Sequence, residues 1–326
     1  MLDVTRPDAG PASYHGTRGE PLVLPWVTIV VLNWNRRQDT LECLASLMSL
    51  AYPRCEVAVV DNASRDGSVA AVRQSFPQVT VLENPSNLGY AGGNNVGLRW
   101  ALARGADQVL LLNNDTIVHP DFLGELVRAS LGHPEAGILG PTIYFYDQPA
   151  VVWSAGGAID WGRGQSSMID LYERGPSGLG TARPVDFVTG CALLVKASVV
   201  ARIGPLDERF FSYWEEVDFC VRARRAGFGI LHVPQSRIWH KISPASQQQS
   251  PQICYYMARN RLLFLQSCGA DWRAWLWCLA EYARTLASLS LRPKHRHQKP
   301  QRDALLMGIQ DFLRGRLGEA SRPEPA

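Results

Sequence analysis

The sequence predicts an α/β fold in which helices flank a mostly parallel, Rossmann-like sheet and a helical extension follows at the C-terminal end. From Val27 onward, short apolar runs alternate with amphipathic stretches, the pattern of strands joined by crossover helices. One run, residues 108–112, is the kind of near-continuous apolar strand that parallel sheets bury on both faces. A composition of 46% hydrophobic and 19% charged residues over 326 positions supplies one large core and excludes a disordered chain.

Residues 27–32 are β-branched and form the first strand. Leu41, Leu44, Ala45 and Met48 then recur at helical spacing over residues 40–50, and Pro53 ends that helix. Residues 56–60 make the second strand, a short helix runs through Val69, Val72 and Phe76, and residues 79–82 make the third strand. A helix over 91–104 stops at Gly105, and the 108–112 run is the fourth strand. Pro120 suits the first turn of a helix whose apolar face is Phe122, Leu123, Leu126 and Val127. The alternation then breaks. Residues 140–180 are rich in glycine, aromatic and turn residues, which predicts a hairpin insertion over 151–161 and a mobile loop over 175–181. The sheet resumes over 187–195, a helix over 214–226 ends at Gly227, and a strand over 237–239 leads into His240. The organisation expected is a leader (1–25), a nucleotide-binding α/β domain (26–250) and a C-terminal helical region with a basic tail (251–326).

A net charge of +3 gives no polycation, so nucleic acid is not an expected partner. Seven cysteines, without a CxxC pair, fit reduced thiols in the cytoplasm better than a disulfide frame or zinc site. Residues 1–25 lack the basic start and apolar stretch of a signal peptide. The most apolar late segment, 272–291, is interrupted by Arg273, Glu281 and Arg284, so no spanning helix is predicted.

In a parallel α/β sheet, ligands bind beyond the carboxyl ends of the strands. Three of those ends are polar here: Asn33-Trp34-Asn35, Asp61-Asn62-Ala63-Ser64 with Asp66-Gly67-Ser68, and Asn113-Asn114-Asp115-Thr116. Asp61 either accepts the N3–H of uracil or thymine, which cytosine lacks, or caps the turn that follows. The Gly-rich stretch from Asn87 to Asn95 either approaches a ligand with its backbone or simply starts a helix, and it has neither P-loop nor GxGxxG spacing. Asp115, at the end of an apolar strand, is costly unless it faces a cleft or a cation such as Mg²⁺ or Mn²⁺; the alternative is a helix cap. Glu215, Glu216 and Asp218 open a helix where the dipole favours acids, yet the aromatic residues Phe210 to Trp214 before them would exclude water and raise the basicity of a carboxylate. His240 alone reads as a core histidine as readily as a ligand.

Taken in order, Asn33-Trp34-Asn35, Asp61-Asn62-Ala63-Ser64, Asn87-Leu88-Gly89 with Gly92 to Asn95, Asn113-Asn114-Asp115, Tyr213-Trp214-Glu215-Glu216-Val217-Asp218 and Trp239-His240 resemble glycosyltransferase family 2, particularly its bacterial rhamnosyltransferase-like members, over residues 27–261. The resemblance implies a GT-A fold, a UDP- or dTDP-sugar donor, Mg²⁺ or Mn²⁺, inversion at the anomeric carbon, and a glycan or lipid-linked acceptor. Carried over by position, Asp61, Asn33, Asn35, Asn94 and Asn114 would bind the nucleotide and Asp115 and His240 the metal. Glu216 would take the acceptor proton, with Trp214, Glu215 and Asp218 in support. Two departures stand out. Asn113 and Asn114 precede a single aspartate where the family's metal motif has more than one, and the base position, commonly aspartate, is Glu216. The competing readings are a nucleotidyltransferase, which would need a basic Gly-rich loop after the first strand, and a nucleotide-sugar-binding protein without catalysis. Beyond residue 255, Leu262, Phe264, Leu265, Trp272, Trp275, Leu276 and Leu279 form an apolar helical side, next to a basic run over residues 292–299. That combination fits either core packing with a solvated face or peripheral contact with the inner face of an anionic membrane.

Overall fold

A computed structural model describes residues 14–15, 21–175, 180–242, 250–292 and 297–320. Most of the expected leader, part of the 175–181 loop and residues 293–296 of the basic run therefore lie outside the described residues. Tyr14–His15 (β1) and Pro21–Leu22 (β2) pair as a small antiparallel ribbon. The chain then builds β3 (Val27–Asn33), α1 (Arg37–Leu47), β4 (Cys55–Asp61), α2 (Ser68–Ser75), β5 (Thr80–Glu83), α3 (Gly89–Ala103), β6 (Gln108–Asn113), β7 (Thr116–Val118) and α4 (Phe122–Gly132). After these come β8 (Ala136–Phe145), β9 (Val152–Ser154), β10 (Gly157–Asp160), β11 (Gln165–Met168), β12 (Arg183–Pro184), β13 (Ala192–Lys196) and α5 (Ala197–Ile203). Last are α6 (Glu215–Arg225), β14 (Gly229–His240), α7 (Pro251–Ser267), α8 (Trp272–Leu291) and α9 (Lys299–Leu313).

The central sheet runs β12-β14-β8-β13-β6-β3-β4-β5, with β7 added to β14 and β9 to β8. Strands β5, β4, β3 and β6 are parallel, β13 is inserted antiparallel between β6 and β8, and β14 is parallel to β8. The mostly parallel α/β architecture is the one the alternation predicts. Its two faces are covered by separate cores, one built around Val30, Leu111 and Phe219 and the other around Ile29, Leu110 and Phe122. Helix α3 lies so close to the sheet that a β-carbon on Gly97 would come within 2.3 Å of a Val30 methyl, which explains a glycine in mid-helix.

Three expectations need correction. Residues 140–145 are not part of a turn-rich insertion but the second half of β8, whose ten residues are all buried. Gly140 sits in that strand because Val188 occupies the space a β-carbon would need, at 2.7 Å. The hairpin itself is β10–β11, Gly157 to Met168, and not residues 151–161, whose first part is β9 paired to β8. The 237–239 strand is the end of the 12-residue β14, which pairs with both β8 and β7.

Candidate active site

Strands β3, β4, β6 and β14 deliver their polar ends to one rim. Asn33 ends β3 and is fully buried; its Nδ2 donates to Asp61 Oδ1 at 2.7 Å and to Ser64 Oγ at 3.1 Å. Its Oδ1 accepts from Thr40 Oγ1 at 2.7 Å and from Asn114 Nδ2 at 3.0 Å. Asn33 thus has every polar atom committed, and it acts by holding Asp61 and Asn114 together. Asp61, 2% exposed, also accepts from the Ser64 backbone N–H at 2.8 Å, so the turn cap foreseen as an alternative is present. Each carboxylate oxygen has a second lone pair, and the cap leaves Asp61 able to accept another donor. Asn35 is exposed with a left-handed φ of 52°; its Oδ1 accepts from the Arg65 N–H and laces the β3–α1 loop to the β4–α2 loop. Asn94 is buried in α3, its Nδ2 donating to Tyr90 O, while its Oδ1 has no hydrogen-bond partner among the described residues.

Asp115 and His240 are 125 positions apart in the chain, yet their side chains meet. Register decides this: β7 pairs with the end of β14 so that His240 lies opposite Thr116, and the Lys241 N–H donates to Asp115 O. His240 Nε2 lies 3.0 Å from Asp115 Oδ1. Burial opposes the charge on Asp115, but the hydrogen bond and charge of His240 outweigh it and hold the carboxyl below its usual range. Burial likewise opposes protonation of His240; the neighbouring Cys191 and Asp115 outweigh it and raise the imidazole well above its usual value. A donor pair of one carboxylate oxygen and one imidazole nitrogen suits a divalent transition ion or magnesium. Two adjacent ligands of an octahedral ion at about 2.1 Å are separated by about 3.0 Å, the spacing of this pair, and an ion there would displace the proton the two atoms share. Among the described residues no cluster of three or more metal-binding side chains occurs, which leaves the remaining coordination to water or a ligand's oxygens.

The acidic helix start is joined to this pair through two residues that sequence patterning does not single out. Tyr90 Oη donates to Gly190 O, and the Gly190 N–H faces the Glu216 carboxylate together with the backbone N–H groups of Glu216, Val217 and Trp214. The next residue, Cys191, lies beside His240 and its carbonyl accepts from the Asn113 N–H at 2.9 Å. Glu216, Gly190, Cys191, His240 and Asp115 therefore form a continuous line of contacts along the rim. Tyr213 lies among the acids, and burial followed by Glu215, Glu216 and Asp115 pushes its hydroxyl up to about 12. Burial raises the carboxyls of both Glu215 and Glu216, and the charge of Glu216 adds to the rise at Glu215, which is 3% exposed. One oxygen of each, together with Trp214 Nε1, has no hydrogen-bond partner among the described residues. Asp218 faces away, paired with Arg222 at 2.7 Å, and Arg222 in turn donates to Ile203 O and Pro205 O.

The backbone leading to Glu216 is strained. Phe211, Tyr213 and Trp214 all have positive φ, at 63°, 69° and 75°. For residues other than glycine each such conformation costs about 1–3 kcal/mol and persists only when the surroundings enforce it. Here α7 does so. Asn260, fully buried, donates from Nδ2 to the carbonyls of Phe210, Ser212 and Tyr213 at 2.7, 2.7 and 2.9 Å. The guanidinium of Arg259, also fully buried, donates to Phe210 O at 3.0 Å, and Tyr256 stacks on Phe211 at 5.3 Å. Core packing does not account for these α7 residues; the adjacent polar pair Arg259-Asn260 inside an apolar helix was the available sign of a buried polar role. Asn260→Ala, which takes the side-chain donor from the Ser212 and Tyr213 carbonyls while Phe210 O keeps Arg259, is expected to destabilise the protein by about 2–3 kcal/mol in urea unfolding and to lower turnover more than donor binding.

A family model described as glycosyltransferase-like family 2 matches residues 25–255. The chain belongs to this family. The N-acetylglucosaminyl-diphospho-decaprenol L-rhamnosyltransferase of Mycobacterium tuberculosis is 28% identical to this glycosyltransferase over 82% of its chain and 94% of the relative's. The dTDP-rhamnosyl transferase RfbF of Shigella flexneri is 23% identical over 73% of this chain and 79% of its own. In fold, this glycosyltransferase is similar to the mannosyltransferase PcManGT of Pyrobaculum calidifontis, solved with GDP-Man and Mn²⁺ (TM-score 0.56, 17% identity, 89% and 88% of the two chains). It is likewise similar to Staphylococcus aureus TarS 1-349 (TM-score 0.55, 15% identity, 91% and 93%). The GT-A glycosyltransferase architecture implied by the sequence resemblance is the one these solved structures share.

Proposed function

We propose that this glycosyltransferase transfers a sugar, rhamnose foremost, from a UDP- or dTDP-sugar to an acceptor hydroxyl with inversion and with Mg²⁺ or Mn²⁺ bound. The acceptor would be a glycan or lipid-linked glycan in cell-surface polysaccharide or glycoconjugate synthesis, at the cytoplasmic face of the membrane. The observation that carries this reading is the Asp115–His240 pair at 3.0 Å, linked through Cys191 and Gly190 to Glu216. The rhamnose and lipid-linked assignments rest on the names of the Mycobacterium and Shigella relatives.

Asp61, held by Asn33, accepts the N3–H of the pyrimidine, and Asn35 and Asn114 brace the loops around it. A divalent ion held by Asp115, His240 and diphosphate oxygens would neutralise the charge that grows on the leaving group. Glu216 takes the proton of the acceptor hydroxyl as its oxygen bonds to the anomeric carbon, on the face opposite the breaking bond to the diphosphate. One displacement therefore inverts the configuration. Incubation with a panel of UDP- and dTDP-sugars and a polyprenyl-diphosphate-linked acceptor is expected to release nucleoside diphosphate with Mn²⁺ and not with EDTA. Transfer indifferent to EDTA would remove the metal role of Asp115 and His240, and donor binding without any transfer would leave only a binding protein.

A general base must be ionised, so activity should fall as pH drops through the raised pKa of Glu216, an acid limb above the ordinary carboxylate range. A profile of kcat/KM against pH checks the direction, and an acid limb at or below the ordinary carboxylate range would contradict it.

A further inference from the structure

Helix α8 has two faces of opposite character. On one, Ala274, Cys278 and Tyr282 are buried, and Tyr282 Oη donates to Ala258 O at 2.9 Å, which seats the helix along α7. On the other, Trp272, Leu276, Leu279, Ala283 and Ala287 follow one another at spacings of four, three, four and four residues and all are exposed; Trp272 retains 67%, Leu276 60% and Leu279 49% of its surface. Trp277, 53% exposed, borders this stripe and meets a second element: the Arg163 guanidinium of the β10–β11 tip lies 5.2 Å from its ring, and Trp161 of the same tip is 43% exposed. Among the exposed residues of α8 none is acidic, while Arg273 and Arg284 flank the stripe and Arg292 follows it; the exposed acids nearby are the N-cap Asp271 and, at the hairpin tip, Asp160, which pairs with Arg163.

We infer that α8 and the β10–β11 tip form a docking surface for an anionic lipid bilayer, on which the helix lies in the plane of the headgroups. Exposed tryptophans and leucines enter the headgroup–acyl boundary, and the arginines meet lipid phosphates. No described helix is long and apolar enough to cross a membrane, and α8 is fixed to the body along its opposite face, so it lies on the bilayer without spanning it. The charge distribution favours lipid over a second copy of the chain. A two-fold contact through this face would bring Arg273 and Arg284 toward their own mates, and the acids nearest them are engaged: Glu281 pairs with Arg261 and Asp271 caps the helix through the Arg273 N–H.

The placement has a consequence that rests on the proposed transfer to a lipid-linked acceptor. Helix α8 also walls a groove of about 540 Å³ whose lining includes Ala258, Arg261, Tyr282, Leu289 and Trp214, the last of them two positions before Glu216 in the chain. A lipid-borne acceptor at the membrane would enter this groove and meet the segment that leads into the proposed base.

The test is sedimentation of the full chain with phosphatidylcholine vesicles containing about one third phosphatidylglycerol, compared with phosphatidylcholine alone and repeated at high salt. Binding to the anionic vesicles, weakened by salt, is expected. Leu276→Asp combined with Leu279→Asp should reduce it at least ~10-fold, while the melting temperature and the affinity for UDP with Mn²⁺ stay at wild-type values. Three results would overturn the inference: no wild-type binding, equal binding by the double variant, or wild-type dimers that the substitutions dissociate without any effect of vesicles. Absence of sugar transfer from every donor would instead count against the proposed function and leave vesicle binding as it is.

Discussion

Glu216→Gln is expected to lower the rate of transfer by about 10²- to 10⁴-fold, the usual contribution of a positioned base, with little change in affinity for the donor nucleotide. Glutamine keeps the length and polar character of the side chain, so the backbone N–H groups of Gly190 and Val217 still face an acceptor oxygen. What disappears is the capacity to take a proton. The buried neighbour Glu215 is a poor substitute: it is 3% exposed, and burial together with the charge of Glu216 raises its carboxyl. Rapid-mixing assays of product formation, together with calorimetric titration by UDP and Mn²⁺, separate the two quantities. Full activity in the glutamine variant, or an equal loss of binding and turnover, would remove Glu216 from the chemistry.

Asp115→Ala should be nearly as severe for a different reason. It deletes one of only two side chains proposed to hold the cation, and it leaves His240, 6% exposed, without its carboxylate. Loss of transition-state charge stabilisation of this kind costs about 10²–10³-fold in turnover, and Mn²⁺ affinity should fall at least ~10-fold. Asp115→Asn preserves a polar group at the same place and should lie between. A titration of activity with Mn²⁺ checks both, since the alanine variant is expected to need far more metal. An unchanged metal requirement would move the cation elsewhere.

Much of this site was legible in the sequence because polar residues at the ends of apolar strands have few other reasons to be there. Asn33, Asp61 and Asp115 follow runs that must be strands, and a parallel sheet puts such ends on one rim. The pairing of Asp115 with His240 was only implied by family resemblance, because it depends on how β7 and β14 register, and no local pattern carries that information. The link through Gly190 and Cys191 was not legible at all: a glycine beside a cysteine in an apolar strand reads as core. Arg259 and Asn260 were hidden for a similar reason, since the apolar stripe of α7 suggests packing while the two polar residues within it grip the strained backbone of Phe211, Tyr213 and Trp214. Residues 140–145 misled because glycine and proline in β8 look like turn residues, whereas tertiary packing against Val188 makes Gly140 a strand residue.

The proposed transfer requires a cation and a donor diphosphate to share the rim between Asp115 and His240. Anomalous diffraction from crystals grown with Mn²⁺ and UDP tests this most directly. The expected map has one manganese peak about 2.0–2.3 Å from both Asp115 Oδ1 and His240 Nε2, in contact with the diphosphate, with the pyrimidine ring against Asp61. Bound UDP whose manganese touches neither side chain would contradict it.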